Sequence, residues 1–171
     1  MKGFPQLTTH DVELLDGLLK DFVARSGVLA ALVVERAGYL IHRAGKELPC
    51  DPREFASLAS NAFSAAQEMS RRLQENFFTQ LHVSGTGYHT LILHVDETCL
   101  LVVVSDTQLS PQLVADRALT TVINLHERLV TARHRAPHAT VDFADADAEN
   151  VTKFFRRIEP PPDPPAGSPQ A

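Results

Sequence analysis

Apolar residues follow helical spacing in some stretches of this chain and strand spacing in others. Thr9 or Asp11 can cap a first helix, and Gly27 is placed to end it. The run over residues 28–36 is almost wholly apolar, as in a strand buried on both faces. A weaker second strand is predicted over residues 39–44. The apolar residues that define the first helix are Val12, Leu15, Leu19, Phe22 and Val23.

The stretch over residues 51–75 predicts a helix with two contrasting faces. Asp51 followed by Pro52 is a typical helix start. At about 100° per residue, one arc is apolar and is predicted to be buried. This arc carries Phe55, Leu58, Ala59, Ala62, Phe63, Ala66, Met69 and Leu73. The opposite arc carries Ser57, Ser60, Asn61 and Ser64. Long charged side chains begin only at Glu68, so this small, uncharged face predicts close approach by another protein surface.

Three strands and a long helix follow. The strands are predicted over residues 77–84, 88–95 and 99–106, and the helix runs from Ser110 to about Ala132. The predicted order is therefore α-β-β-α-β-β-β-α. In the first of these strands, one face is predicted to carry Phe77, Thr79, Leu81 and Val83. The other face is predicted to carry Phe78, Gln80, His82 and Ser84.

These elements predict a domain over residues 9–132, flanked by other segments. Residues 1–8 are an N-terminal extension and residues 133–144 a linker. Residues 145–158 predict a short amphipathic helix, and the Pro-rich residues 159–171 a disordered tail. The apolar stripe of the short helix consists of Val151, Phe154, Phe155 and Ile158.

Composition and charge exclude several classes of function. The chain has 171 residues, 44% of them hydrophobic, and a formal charge of −5. A net negative chain without a Lys/Arg block is not expected to bind nucleic acid. Its apolar runs are shorter than the ~20 residues that span a bilayer, so membrane insertion is not expected. Two cysteines and no visible secretory signal favour a cytoplasmic location.

The sequence offers no assembled catalytic or metal site. Eight histidines invite a metal hypothesis, but their spacing does not support one. His89 and His94 are predicted to face opposite sides of a strand, and Pro137 separates His134 from His138. No phosphate-binding loop and no nucleophile motif is present. We therefore expect no catalytic residue, metal or cofactor, and the chain is not predicted to be an enzyme.

Three local patterns, in order and spacing, resemble the Roadblock (dynein light chain) family, most closely its bacterial MglB-like branch. The first is the strand, Glu-Arg-x-Gly turn and second strand over residues 31–41. The second is residues 57–62, followed by Phe77 or Phe78 and then His82-x-x-Gly85. The third is residues 102–106, leading through Leu109 into the last helix. Together they cover about residues 9–132, and the acidic residues 142–155 are similar to the MglB-like C-terminal helix.

Some positions depart from the family pattern. Ser60 stands where the family often has Gly, and Glu35 stands where it usually has Asp. The Gly commonly found after the third pattern is absent from residues 108–111. These departures concern the turns and the regulatory surface, and they leave the predicted order of elements unchanged.

The resemblance implies an α+β fold and a regulatory function. The fold is a five-stranded antiparallel sheet sandwiched between helices, Roadblock-like and profilin-like in architecture, plus the short C-terminal helix. The function is that of a homodimeric GTPase-activating protein for a small Ras-like GTPase of the MglA type, in cell polarity or motility. Such proteins order the switch loops of the GTPase without donating a catalytic residue. The alternatives are a scaffold that binds a GTPase or motor without activating it, and a PAS- or GAF-like ligand sensor.

Two sets of residues are predicted to contact other chains. The partner-binding residues on the central helix are Ser57, Asn61, Ser64, Ala65, Glu68, Arg71 and Arg72. The tail stripe, Val151, Phe154, Phe155 and Ile158, either binds the partner as well or packs on the chain's own body. The predicted dimer interface contains Phe77, Phe78, Gln80 and His82. Arg71 and Arg72 are interpreted as a solvated pair, with an arginine finger as the alternative.

Overall fold

The computed structural model describes residues 4–75 and 77–135. Its elements are α1 (Thr9–Ser26), β1 (Ala30–Glu35), β2 (Leu40–Gly45), α2 (Pro52–Arg72), β3 (Gln80–Ser84), β4 (Tyr88–Asp96), β5 (Cys99–Asp106) and α3 (Pro111–His134). This is the predicted order α-β-β-α-β-β-β-α. The predicted linker over residues 133–144 begins too early, because α3 continues through His134. The predicted helix over residues 145–158 and the tail over 159–171 lie outside the described residues.

The five strands form one antiparallel sheet in the order β2-β1-β5-β4-β3. β1 and β5 occupy the centre, with Leu32 opposite Val102. Both central strands are buried along nearly their whole length, as their continuous apolar runs predict. β2 and β3 are the edges of the sheet, so the backbone groups of β3 on its outer side have no strand beside them among the described residues.

Helices cover both faces of the sheet. Leu15, Phe22 and Leu125, from α1 and α3, pack with Leu101 and Val103 on one face. On the other face α2 contributes a second core of Ala56, Ala59 and Phe63 against the alternate residues of the same strands. A sheet with an apolar core on each side is the predicted three-layer sandwich.

The start of α1 lies one residue earlier than predicted. Thr8, not Thr9 or Asp11, is the cap residue, and its hydroxyl accepts a hydrogen bond from the Asp11 amide at 3.3 Å. Asp11 completes a capping box by accepting from the Thr8 amide at 2.7 Å. Arg135, just beyond α3, donates to both carboxylate oxygens of Asp11 at 2.7 and 2.9 Å. In the described part of the predicted N-terminal extension, Phe4 and Leu7 pack against the core of the domain.

β3 is shorter than predicted. The strand begins at Gln80, because Phe78 turns toward α2 and lies 5.0 Å from the ring of Phe63. Phe78 therefore shares the α2 side with Leu81, and the predicted grouping of Phe78 with Gln80 and His82 is wrong.

Among the helices of residues 4–75 and 77–135, none has the length and apolar character to span a bilayer.

Candidate protein-docking site

The rotation of α2 about its axis determines which of its residues are exposed. The buried residues are Ala56, Ala59, Ser60 and Phe63. The predicted assignment was wrong for Ala62, which is exposed, and for Leu58, Met69 and Leu73, whose exposed fractions are 66%, 69% and 78%. It was also wrong for Ser60, which is buried although it was predicted on the outer face. The helix is turned so that Ser60 is buried and part of its apolar side faces outward.

Contacts with the β1–β2 turn explain this rotation. The Ser60 hydroxyl donates to the Arg36 carbonyl at 2.7 Å, and the Arg36 guanidinium donates to the Gln67 side chain. The same guanidinium lies 5.0 Å from the centre of the Phe63 ring. Gly38 lies so close to Ser57 that an added side-chain carbon would approach within 3.3 Å of it. These interactions hold one flank of α2 against the turn.

The flank of α2 that begins beside the turn and continues outward is polar and made of small residues for three turns. We call this surface the polar flank; its residues are Ser57, Asn61, Ser64, Glu68, Arg71 and Arg72. All of these side chains except the half-buried Glu68 are exposed. Glu68 pairs with Arg71 and Arg72, each at 2.8 Å, so the cationic end of the flank is partly neutralised. Both arginine side chains are largely exposed.

The other flank of α2 is apolar and points away from the β1–β2 turn. We call it the apolar flank; its residues are Leu58, Ala62, Ala65, Met69 and Leu73. Ala65, predicted as a partner-binding residue together with Ser64, therefore lies on a different surface from Ser64. Because the β1–β2 turn lies at one side of α2, the apolar flank faces the side of the sheet that ends in β3.

Exposed apolar side chains continue from the apolar flank to β3. Phe77 is 90% exposed, and Val83 on β3 is about half exposed. The predicted interface residues Gln80 and His82 are exposed on this edge strand, whereas Phe78 is half-buried against Phe63. The predicted tail residues Val151, Phe154, Phe155 and Ile158 lie outside the described residues.

Sequence reasoning missed the exposure of Leu58, Met69 and Leu73. A signal was present, because residues 58, 62, 65, 69 and 73 form an unbroken helical stripe of their own. This stripe was not recognised because the helix contains enough alanine to form two overlapping apolar arcs, and only one of them was assigned. The exposed Tyr39, at the end of the β1–β2 turn beside the polar flank, was also not predicted.

A buried polar cluster lies under α2. His94 on β4 stacks on Phe63 with ring centres 6.4 Å apart. Burial lowers the pKa of His94 below 6.5, and the nearby Arg36 charge lowers it further, while Asp96 and Glu97 oppose the shift. The Nδ1 atom of His94 and the Nη1 atom of Arg36 are buried and, in the described part of the chain, have no hydrogen-bond partner. Phe63 therefore contacts both a guanidinium cation and an imidazole whose pKa is lowered.

An open cleft of about 420 Å³ lies between the β4–β5 turn and the end of α3. One of its lining residues is Asp96, which is buried and accepts a hydrogen bond from Arg133 at 2.7 Å. Burial acts to raise the pKa of Asp96, but bonds from Thr98 and Arg133 outweigh it and leave the pKa below its usual value. His126, on the rim, is half exposed, so its position in the apolar pattern of α3 does not make it a core residue. The described residues of one chain contain no group of three or more His, Cys, Asp or Glu side chains placed to hold a metal ion.

Comparisons with known proteins agree on the fold. The chain is similar in structure to a protein described as MglB with tetrameric arrangement, at 19% identity, covering 77% of this chain and 99% of that one, with a TM-score of 0.70. Myxococcus xanthus MglB gives 21% identity, 69% and 96% coverage and a TM-score of 0.65. Acanthamoeba castellanii profilin II gives 10% identity, 67% and 98% coverage and a TM-score of 0.50.

Sequence comparison gives the family. A search of curated proteins finds no match to this chain. The Roadblock/LC7 domain family, however, matches residues 14–105, which is more than half of the chain and extends from α1 to the end of β5. The order of elements, the sheet topology and the sequence match agree, and this chain belongs to the Roadblock/LC7 family.

Proposed function

We propose that this chain is a cytoplasmic, homodimeric regulator of a small Ras-like GTPase of the MglA type. It acts as a GTPase-activating protein in cell polarity or motility, and it contributes no catalytic residue of its own. The observation that carries the proposal is the division of α2 into a polar flank and an apolar flank. A helix with two distinct exposed surfaces, neither of them the usual charged face, is suited to two different protein contacts. Family membership and the MglB-like fold support the same function.

The apolar flank and β3 support the dimer. An edge strand with exposed apolar neighbours is a hazard for uncontrolled association unless it is covered. Pairing β3 with its own copy about a two-fold axis extends the sheet and covers Phe77, while the apolar flanks of the two α2 helices meet. Both contacts lie on the same side of the protomer, so one interface satisfies both.

The polar flank supports the GTPase contact. Its small side chains allow the backbone of another protein to approach closely, and its charged end supplies Glu68, Arg71 and Arg72 to a polar rim. Activation requires that these contacts favour one arrangement of the GTPase switch loops over the other. The dimer is therefore expected to bind the GTP form more tightly than the GDP form.

The dimer is tested with a matched pair of neighbouring substitutions. Ala65→Arg places a buried charge in the proposed interface, whereas Ser64→Arg places the same charge on the polar flank. Light scattering at micromolar concentration should give twice the chain mass for the wild type and for Ser64→Arg, and the chain mass for Ala65→Arg. A wild type that scatters as a single chain contradicts the proposed dimer.

The GTPase contact is tested by binding and turnover. An MglA-type GTPase, loaded with GDP or with a non-hydrolysable GTP analogue, is titrated with the dimer, and GTP hydrolysis is measured with and without it. Asn61→Arg should abolish both the binding and the stimulation, because it places a long charge at the centre of the flat surface. Arg71→Ala combined with Arg72→Ala should weaken binding several-fold and leave turnover at saturation unchanged.

Two outcomes would redirect the proposal. Nucleotide-selective binding without faster hydrolysis would indicate a scaffold. Loss of stimulation at unchanged affinity in the Arg71 and Arg72 variants would indicate an arginine finger.

A further inference from the structure

Two histidines at the edge of the sheet have the geometry of a metal-ligand pair. His82 on β3 and His89 on β4 lie on the same face, with ring centres 5.1 Å apart and ring planes at 66°. Two imidazoles bound to one tetrahedral zinc ion, with Zn–N bonds of about 2.0–2.1 Å, have ring centres about 5 Å apart. The observed separation is thus compatible with a shared ion.

A neighbouring side chain orients the second of these rings. The Ser84 hydroxyl lies 3.1 Å from Nδ1 of His89, so Nε2 of His89 is the ring nitrogen that remains to bind a metal ion. Histidines that bind metals commonly have one ring nitrogen fixed in this way by a polar group. His82 is exposed, so its ring can turn toward an ion beside His89.

Symmetry supplies a third imidazole. When an antiparallel strand pairs with its own copy about a two-fold axis, the residue numbers of every facing pair add up to the same total, so one residue can face its own copy. The fullest overlap of β3 (Gln80–Ser84) places its central residue, His82, opposite His82 of the partner subunit. Directly opposite residues of an antiparallel pair have Cβ atoms about 4.5–5.5 Å apart on one face of the sheet. The two His82 side chains therefore meet at the axis.

We propose that the dimer binds one Zn²⁺ ion through His82, His89 and His82 of the partner subunit, with water in the fourth position. The two-fold axis generates an equivalent set of ligands that uses the same two His82 rings, so only one of the two sets holds an ion at a time. The inference rests on the β3-mediated dimer of the proposed function. Imidazole nitrogens are ligands that zinc prefers. The described part of a single chain offers no three-ligand group, and the proposal takes the third imidazole from the partner subunit. Zinc and dimerisation must then strengthen each other.

The test uses the full-length protein without a histidine tag. Zinc titrated calorimetrically into the metal-free dimer should bind with a stoichiometry of one ion per two chains. His89→Gln should lose this binding and keep the dimer, because His89 lies on β4, outside the strand-to-strand contact. His82→Gln should also lose it. His10→Gln removes an exposed histidine on α1 and is the matched control that should bind zinc like the wild type.

Sedimentation in zinc and in EDTA separates this proposal from the dimer itself. The dimer dissociation constant should be at least tenfold lower in zinc for the wild type and for His10→Gln, and unchanged by zinc for His89→Gln. A dimer that binds no zinc, or binds it equally after His82→Gln or His89→Gln, overturns the metal site and leaves the dimer standing. A chain that is monomeric with and without zinc overturns both. A chain that pairs only in zinc supports the metal site and shows that the interface depends on it.

Discussion

At the residue scale, the capping box at the start of α1 makes a measurable contribution to the stability of the fold. The Thr8 hydroxyl and the Asp11 carboxylate satisfy backbone groups that the helix itself leaves free. Thr8→Ala is expected to lower the free energy of unfolding by about 0.5–2 kcal/mol. Thr9→Ala, one position further on and exposed, is the matched control and should change it little. Urea unfolding of the two variants checks the difference, and equal midpoints would contradict the capping role of Thr8.

His94 makes stability depend on pH at the same scale. Its pKa is below 6.5 in the folded protein, so the unfolded chain binds a proton that the native His94 resists. The contribution of neutral His94 is therefore complete above about pH 6.5 and decreases as the pH falls toward the folded pKa. The free energy of unfolding should decrease between pH 7 and pH 5, and less steeply in His94→Gln. His10→Gln should keep the wild-type slope, and an unaltered slope in His94→Gln would contradict this prediction.

The sequence did not predict individual contacts between residues that are distant in the chain. The sequence predicted that α1 begins near Thr9 and Asp11, but the cap is Thr8, and its partner Asp11 also binds Arg135 from the far end of the domain. That pair lowers the pKa of Asp11, chiefly through the hydrogen bond from Arg135. A contact between residues so distant in the chain depends on how α1 and α3 pack, which no local pattern encodes.

At the scale of elements, the sequence predicted the limits of α2 better than its orientation. Asp51 and Pro52 define its start, and both act as predicted. The rotation of the helix is decided by the contacts of Ser60 and Gln67 with Arg36, which lies on another element. An alanine-rich helix has more than one arc able to pack on a sheet, and tertiary hydrogen bonds select between them. β3 was shortened for a similar reason, because Phe78 packs on Phe63.

The orientation of α2 leads to opposite expectations for two of its apolar residues. Phe63 is fully buried, so Phe63→Ala should cost about 3–5 kcal/mol of unfolding free energy. Leu58 is largely exposed, so Leu58→Ala should cost little within one protomer while it weakens the dimer. Measuring unfolding in the monomeric Ala65→Arg background separates these effects. If Leu58→Ala lowered the free energy of unfolding in that background as much as Phe63→Ala does, Leu58 would be buried, as the sequence first predicted.

At the scale of the whole molecule, the order of elements and the three-layer architecture followed from the sequence. The two uninterrupted apolar runs became the central strands β1 and β5, because only a strand covered on both faces tolerates apolar residues at every position. The edge strands carry the polar interruptions, as His42 does on β2. The sequence leaves exposed residues at the β3 edge, and whether a second chain covers this edge depends on the assembly.

The last prediction concerns the segment beyond the Roadblock domain. The sequence predicts an amphipathic stripe of Val151, Phe154, Phe155 and Ile158 on a segment of about a dozen residues, and a helix of that length is marginal by itself in water. Burying such side chains on the GTPase would contribute about 1.5–3 kcal/mol each before the cost of ordering. Because the segment is covalently joined to the Roadblock domain, its contact with a GTPase already bound to the dimer is effectively intramolecular.

Deletion of residues 141–171 should therefore leave the dimer intact and weaken GTPase affinity or change nucleotide exchange. Phe154→Ala combined with Phe155→Ala should reproduce most of that loss, because the two rings supply most of the apolar surface of the stripe. Deletion of residues 159–171 alone is the matched control, since it removes the Pro-rich tail and keeps the stripe. Calorimetry and nucleotide-exchange rates measured with the same GTPase compare the three variants. Equal affinities and equal exchange rates for the wild type and the 141–171 deletion would show that the stripe has no role in binding the GTPase.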